Sequence, residues 1–205
     1  PRNEQQGGVS LDKAKCILGG LAVGAPIVVY SGSLDEKWNK LSTYLPCFRD
    51  LILSGNNLVV MTQSPVESQI LEYLSKACST SVSALSSRIC IANVADTGVQ
   101  SAVLSQSDYG VMLMERVPDW YSRLSVKFAN YRCAGLPVLV SRYFGGAISL
   151  LKNGDRSSYT IFDARELVEI VALTPARRAI LRDQSCALFS PVNFHLAVES
   201  FMANK

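Results

Sequence analysis

The sequence predicts a doubly wound α/β fold: a mostly parallel six-stranded sheet in the order 3-2-1-4-5-6, with helices on both faces and extra helices at the C-terminus. Three observations carry this expectation. Short β-branched runs recur along the chain, they are apolar nearly throughout rather than alternating, and helix-length amphipathic segments separate them. Strands that are apolar on both sides need cover on both faces, which is the condition of a parallel sheet. Their alternation with helices gives a repeated βα unit of roughly 25–30 residues.

The elements follow in order. Residues 1–25 read as a polar tail and lead-in, with a short helix candidate at 12–18. The stretch 16–34 carries no charge, but Gly19, Gly20, Gly24, Pro26 and Gly32 interrupt it, and a membrane span needs about 20 helix-compatible apolar residues. Strand runs are expected at 26–30, 57–61, 88–92, 109–114, 137–141 and, more weakly, 159–162. A helix over 38–53 would bury Trp38, Leu41, Leu45 and Phe48, and one over 66–78 would bury Val66, Ile70, Leu74 and Cys78. Shorter helices are expected at 97–104 and 126–134, and only helices after Phe162, at 164–173, 175–189 and 191–202. The sheet domain is therefore 26–175, with C-terminal helices over 176–205 packed on the same domain.

Composition narrows the function. The chain of 205 residues is 48% hydrophobic and 18% charged, which excludes disorder. Lys plus Arg is 20 and Asp plus Glu is 17, a net +3 that excludes a strongly basic nucleic-acid binder and suits a small anionic ligand. The single histidine, His195, excludes multi-histidine metal sites and sits beside an apolar helix face, where a structural role is expected. The six cysteines show no CxxC spacing, so zinc is not expected. Cys16, Cys78, Cys90 and Cys133 lie in apolar or periodic segments and are expected in the core. The absence of a disulfide-like pattern suits a reducing, cytoplasmic compartment. The polar opening lacks Met and any signal-peptide pattern, so the chain is expected to be a fragment of something longer.

In open parallel sheets ligands bind beyond the carboxyl ends of the strands, where strand order reverses. Ser31, Gly32, Ser33 and Leu34 follow the first run, and Asn93 and Val94 follow the third. A loop with Glu115, Arg116, Asp119 and Arg123 follows the fourth. A glycine at a strand-to-helix turn lets backbone approach a ligand, and the helix behind it offers N–H groups to an anion. The same pattern also makes an ordinary tight turn, and neither GxGxxG nor GxxxxGK[ST] is present. Trp38 and Trp120 could stack on a base or sugar, although Trp38 also suits the core of its helix.

Residues 125–140 are the most informative. Ser125 is a good N-cap, Gly135 a good helix stop and Pro137 a strand start. Lys127 puts a cation in the first helical turn, against the helix dipole, and a bound anion would reverse that penalty. Lys127, Asn130 and Tyr131 share one face, and Val126, Ala129 and Cys133 the other. The alternative is a solvated lysine and a structural asparagine.

This stretch resembles the donor-binding helix and strand of retaining GT-B glycosyltransferases of the family 4-like group, the glycogen-synthase-like and WaaG-like enzymes. Their usual form is P-x-K-x-x-E-Y-x-A-x-G-x-P-V, and Lys127, Tyr131, Gly135, Pro137 and Val138 match it. Asp108 to Leu113 is similar to that family's fourth strand, and Tyr30-Ser31-Gly32-Ser33 to its first βα turn, so the likeness runs in order from residue 26 to about 151. There are departures. The second family glutamate, which grips the donor ribose, falls at Asn130, and the first falls at Ser122. The basic residue after the first glycine is Ser33, and Trp38 occupies the second basic position. An amide still bonds a ribose hydroxyl, but without charge.

The resemblance implies one Rossmann-like half of a GT-B fold, the C-terminal half that binds a nucleotide-diphosphate sugar such as a UDP-sugar. The implied enzyme is a retaining hexosyltransferase-like glycosyltransferase of polysaccharide or glycoconjugate synthesis, needing no metal or other cofactor. Its partner is an N-terminal GT-B domain absent from this sequence, to which acceptor binding and peripheral membrane contact would fall. The fragment alone is expected to be inactive. The implied nucleotide-sugar-binding set is Gly32, Ser33, Asn93, Val94, Arg116, Ser125, Lys127 and Asn130, with no catalytic residue assigned. The rival readings are a non-catalytic nucleotide-binding or scaffolding module on a degenerate GT-B domain, favoured by Asn130 and Ser122, and half of a nucleotide-sugar epimerase, disfavoured by the sparse acids. A phospho-receiver would need clustered aspartates after the first strand, and Tyr30-Ser31-Gly32 holds none.

Overall fold

Six strands, β1 (Ile27–Ser31), β2 (Asn57–Met61), β3 (Ile89–Ala92), β4 (Tyr109–Met112), β5 (Val138–Ser141) and β6 (Tyr159–Phe162), form one sheet in the order β3-β2-β1-β4-β5-β6. The computed structural model describes residues 2–35, 39–113, 125–141, 159–162 and 170–188. All five strand pairings are parallel, and Val28 of β1 lies opposite Leu58 of β2 and Tyr109 of β4. The order reverses between β1 and β4, as the sequence predicts. The helices are α1 (Arg2–Leu18), α2 (Leu41–Leu53), α3 (Glu67–Ala77), α4 (Val82–Leu85), α5 (Thr97–Gln106), α6 (Val126–Cys133) and α7 (Pro175–Leu188).

Each central strand divides its side chains between two cores, because successive residues point to opposite faces. Val28, Tyr30, Leu58, Val60 and Val111 pack with Tyr44, Phe48 and Leu51 of α2 and with Ile70 and Leu74 of α3. Val29, Val59, Met61, Met112 and Val138 pack with Ala14 of α1, Val103 of α5, and Phe128 and Tyr131 of α6. The continuous apolar runs in the sequence are this two-sided burial. The third core residue of α6 is Arg132, buried with Phe128 and Tyr131, whereas Val126 is 75% exposed and Cys133 also faces solvent.

Three expectations are corrected. The polar lead-in is a 17-residue helix, α1, running along α5 with Ala14 fully buried. Packing of one face compensates for its weak helix formers Gly7 and Gly8, since helices in proteins draw most of their stability from tertiary contact. The helix expected at 164–173 does not include residues 170–173, which are irregular. There the Leu173 N–H donates to Asp108 Oδ1 at 2.7 Å, while Asp108 Oδ2 accepts from Ile27 N–H at 2.7 Å, so one carboxylate ties the approach to α7 to the start of β1. Among the cysteines expected in the core, Cys16 and Cys133 are exposed and Cys78 and Cys90 half-buried, while Cys47 is the buried one; all six are free thiols. The remaining expected helices, 164–169 and 191–202, and His195 lie outside the described residues, as do Trp38 and the charged residues of the segment after β4. No helix among the described residues is long and apolar enough to cross a membrane.

Arg178 docks α7 on this frame. Its guanidinium donates to Ser107 O and, at 3.5 Å, to Leu104 O and Ala134 O, carbonyls at the ends of α5 and α6. Leu181 and Ser185 of α7 are fully buried behind it, and α7 packs against α6.

Gly110 in β4 meets the ring of Tyr131: a Cβ there would come within 2.5 Å of Tyr131 Cγ. Tyr131 is fully buried and has no room to move. Gly110→Ala is expected to destabilise the protein by about 1–3 kcal/mol through overpacking, read as a lowered urea midpoint at unchanged slope.

Candidate functional site

The crevice at the strand-order reversal is built by the end of β1, the residues after it and the first turn of α6. Ser125 caps α6, its Oγ accepting the Lys127 N–H at 3.2 Å. Four residues later on the helix, Tyr131 spans Gly110 and its hydroxyl accepts the Ser31 N–H at 2.7 Å. That bond fixes the end of β1 against α6.

Lys127 then crosses the sheet end. Its aliphatic stem and ammonium lie directly over Gly32, where a Cβ would sit 2.3 Å from Cε and from Nζ. Gly32 has φ +141, a conformation that favours glycine. Beyond Gly32 the ammonium donates to Tyr30 Oη at 3.2 Å and lies 5.0 Å from the Tyr30 ring centroid. The Tyr30 hydroxyl donates to Ser33 O at 2.5 Å. Burial lowers the Lys127 amine from 10.5 to about 8, with the Asp35 carboxylate pulling the other way.

The backbone donors of this turn are mostly committed. Ser31 N–H goes to Tyr131, Gly32 N–H to Met61 O at 2.9 Å, and Leu34 N–H to Ser64 Oγ at 3.0 Å. Ser33 N–H makes no bond within the described chain, and Ser33 is exposed. Gly32 thus supplies room and conformation, and Ser33, whose carbonyl takes the Tyr30 hydroxyl, an N–H without a partner among the described residues.

The other expected residues lie apart from this cluster. Asn130, one turn after Lys127, is exposed and lines a groove of about 580 Å³ between α5 and α6 with Thr97, Gln100, Ser101, Cys133 and Arg182. Asn93 is exposed at the end of β3, and Val94 is buried, its carbonyl accepting from Gln100 Nε2 at 2.8 Å. Lys127, Asn130 and Tyr131 therefore do not act as one face: Tyr131 is core, Lys127 lies half-buried across the crevice, and Asn130 points to the groove. Arg116, Trp120 and Ser122 lie outside the described residues. Among the described residues no group of three or more His, Cys, Asp or Glu side chains could hold a metal.

Sequence pattern alone did not mark Tyr30 or Asp35 for this site. Tyr30 reads as one more apolar position of a buried strand, and Asp35 as a solvated loop acid. The pairing of Tyr30 with Lys127 spans 97 positions and becomes visible only when α6 docks.

No protein-family model matches the sequence, and no curated protein matches it. Solved structures do. A trehalose-6-phosphate phosphatase N-terminal domain from Candida albicans superposes with TM-score 0.58 at 13% identity, over 88% of this chain and 41% of that one. Anabaena HepE, solved in complex with UDP and glucose, gives TM-score 0.56 at 15% identity, over 96% and 52%. AviGT4, a glycosyltransferase involved in avilamycin A biosynthesis, gives 0.53 at 14% identity, over 87% and 51%. The chain has the Rossmann-like fold of one half of a GT-B structure. It spans about half the length of the solved structures it matches. In this half-fold the Lys127 crossing stands at the carboxyl edge of the sheet between β1 and β4, where an open parallel sheet receives a ligand.

Gly32→Ala is expected to destabilise the chain by roughly 1 kcal/mol or more, because alanine must adopt a positive φ. It should also push Lys127 off Tyr30 into water. The Lys127 amine would then titrate nearer its ordinary value, which a 13Cε chemical-shift titration would read.

Proposed function

We propose that this chain is the donor-binding domain of a glycosyltransferase, holding a nucleoside diphosphate sugar at the β1–β4 crevice. The observation that carries the reading is Lys127, a partly desolvated ammonium held over Gly32 in a GT-B half-fold. In the ligand-free protein this charge is badly solvated and opposes the α6 dipole. A diphosphate would satisfy both: Lys127 and the free Ser33 N–H would take phosphate oxygens, and the first turn of α6 would face negative charge. Three helical residues advance about 4.5 Å along the axis. That axial spacing suits a ribose beyond the phosphates, but Asn130 opens into the α5–α6 groove, apart from the Lys127 crevice, so in this reading the nucleotide would bend round α6 to reach it, with the end of β3 at Asn93 left for the base. Arg116 would add a second cation.

The reaction in this reading is transfer of a hexosyl group with retention, without a metal ion, in the cytoplasm. Positive charge at Lys127 would stabilise the departing diphosphate. The acceptor would bind a second domain, and polysaccharide or glycoconjugate synthesis is the process this serves. A non-catalytic nucleotide-binding module is the second reading, favoured by the exposed amide of Asn130 where a carboxylate would grip a ribose more strongly.

Titration calorimetry with UDP tests the site. Binding is expected to be weak, and Lys127→Ala should weaken it by about 1.5–3 kcal/mol. The pH dependence has a definite sign. The Lys127 pKa is lowered on folding, so the charged form is the disfavoured one in the free protein, and its cost is complete below pH 8 and relieved as pH rises toward 10.5. An anion favours the charged form. UDP affinity from this group should therefore hold below about pH 8, fall above it, and be accompanied by proton uptake near pH 8–9.

Residues 1–205 alone are expected to transfer no sugar to any added acceptor. Holding two substrates in attack geometry is worth roughly 7–11 kcal/mol of barrier, and this reading assigns the acceptor surface to the other half. A radiolabelled-donor assay showing turnover by this chain would contradict that division.

A further inference from the structure

We infer that Tyr30 is a positioning residue for the phosphate-binding lysine: its hydroxyl, reached from the opposite face of the sheet, holds the Lys127 ammonium over Gly32. The inference rests on the donor-binding reading for its purpose, but its geometry stands independently. Lys127 belongs to α6 on one face, and the Tyr30 ring belongs to the core on the other, with Tyr44 at 4.7 Å and Phe48 at 6.2 Å. Only the absence of a side chain at Gly32 lets the lysine pass over the strand end.

The direction of each bond follows from what the groups can do. An ammonium only donates, so Tyr30 Oη accepts from Nζ at 3.2 Å. The hydroxyl proton is committed to Ser33 O at 2.5 Å. Burial raises the Tyr30 hydroxyl further above its ordinary range, so it keeps that proton. Tyr30 is thus a fixed acceptor toward Lys127 and a fixed donor toward the loop. Among the described residues the ammonium gives one of its three protons, to Tyr30 Oη, and in the donor-binding reading the others would meet phosphate oxygens. The same hydroxyl anchors Ser33, whose N–H is the free donor of the turn. A single phenol group therefore sets the spacing between the two groups that would meet the diphosphate.

The groups facing Lys127 are Tyr30 from β1, Asp35 from the residues after it, and Ser125 and Tyr131 of its own capped helix, with Tyr44 of α2 behind Tyr30. Among the described residues Asp35 is the charged member of this set. Losing the Tyr30 hydroxyl removes the neutral acceptor of the ammonium and leaves the distance to Asp35 to the loop alone.

Tyr30→Phe keeps the ring and its packing and deletes the oxygen. It is expected to weaken UDP binding roughly tenfold and to move the pH at which affinity falls to a lower value, since the ammonium has lost an acceptor. A variant that only loosened the fold would lower affinity evenly without moving that pH, and this would overturn the inference. So would affinity and pH profile equal to wild type. If wild type binds no UDP, the donor-binding reading fails, and the inference is decided by the ligand-free 13Cε titration of Lys127, assigned by its loss in Lys127→Arg. A lower midpoint in Tyr30→Phe supports it, and an unmoved one overturns it. Should Tyr30→Phe not fold, wild type decides: nuclear Overhauser contacts between the Lys127 Hε protons and the Tyr30 ring are expected, and their absence overturns the placement.

Discussion

The structure turns on the ring of Tyr131 lying on Gly110. The contact is tight enough that no Cβ fits at Gly110, and the hydroxyl beyond it takes the Ser31 N–H at 2.7 Å. One side chain thereby joins α6, β4 and β1 at the point where strand order reverses. The phenol is fully buried, so an unpartnered Ser31 N–H or Tyr131 hydroxyl would cost about 1–3 kcal/mol. The pairing is therefore locally compulsory. Its consequence is geometric. Lys127 stands one helical turn before Tyr131. Once Tyr131 is locked and Ser125 has fixed where the helix begins, Lys127 starts within reach of the end of β1, which its stem crosses. The empty position at Gly32 is the second half of the same constraint.

Much of this was legible in the sequence, and what was not has physical reasons. The strands and their order could be read because burial on both faces leaves uninterrupted apolar runs, such as residues 58–61, and because alternation with helices admits few right-handed parallel arrangements. The α6 cap and the stop at Gly135, with φ +75, are local chemistry and so are written locally. Of α1 only the stretch 12–18 was legible, because the periodicity before it is weak and its partner is α5, reached only after folding. Residues 170–173 carry an apolar pattern, yet their backbone answers to Asp108, more than 60 positions earlier. The outward turn of Val126 and Cys133 has the same origin. The helix orients by what Tyr131 and Phe128 must bury, and Arg132 follows them inward. In the candidate site, Gly32, Ser125 and Lys127 announce themselves by type and spacing. Tyr30 does not, since nothing in a buried strand distinguishes a tyrosine that packs from one that also accepts a hydrogen bond.

The charge balance of the crevice gives the arrangement its direction. A lysine could relieve its own desolvation by extending into water, and its stem is long enough to do so. Here it is half-buried, with its amine lowered to about 8. It sits at the wrong end of a helix dipole, and the nearby Asp35 returns only part of the loss. The compensation in hand is modest: one neutral hydrogen bond to Tyr30 and the face of its ring. A fold that needed this lysine only for stability would gain by letting it go. The arrangement becomes favourable when a negative group enters. Desolvation then strengthens the attraction instead of opposing it, the dipole changes sign relative to the local charge, and the two unused ammonium protons and the free Ser33 N–H find acceptors. In the proposed donor-binding reading, Lys127 is already held by Tyr30 in the free state, so little of its ordering would remain to be done when an anion binds.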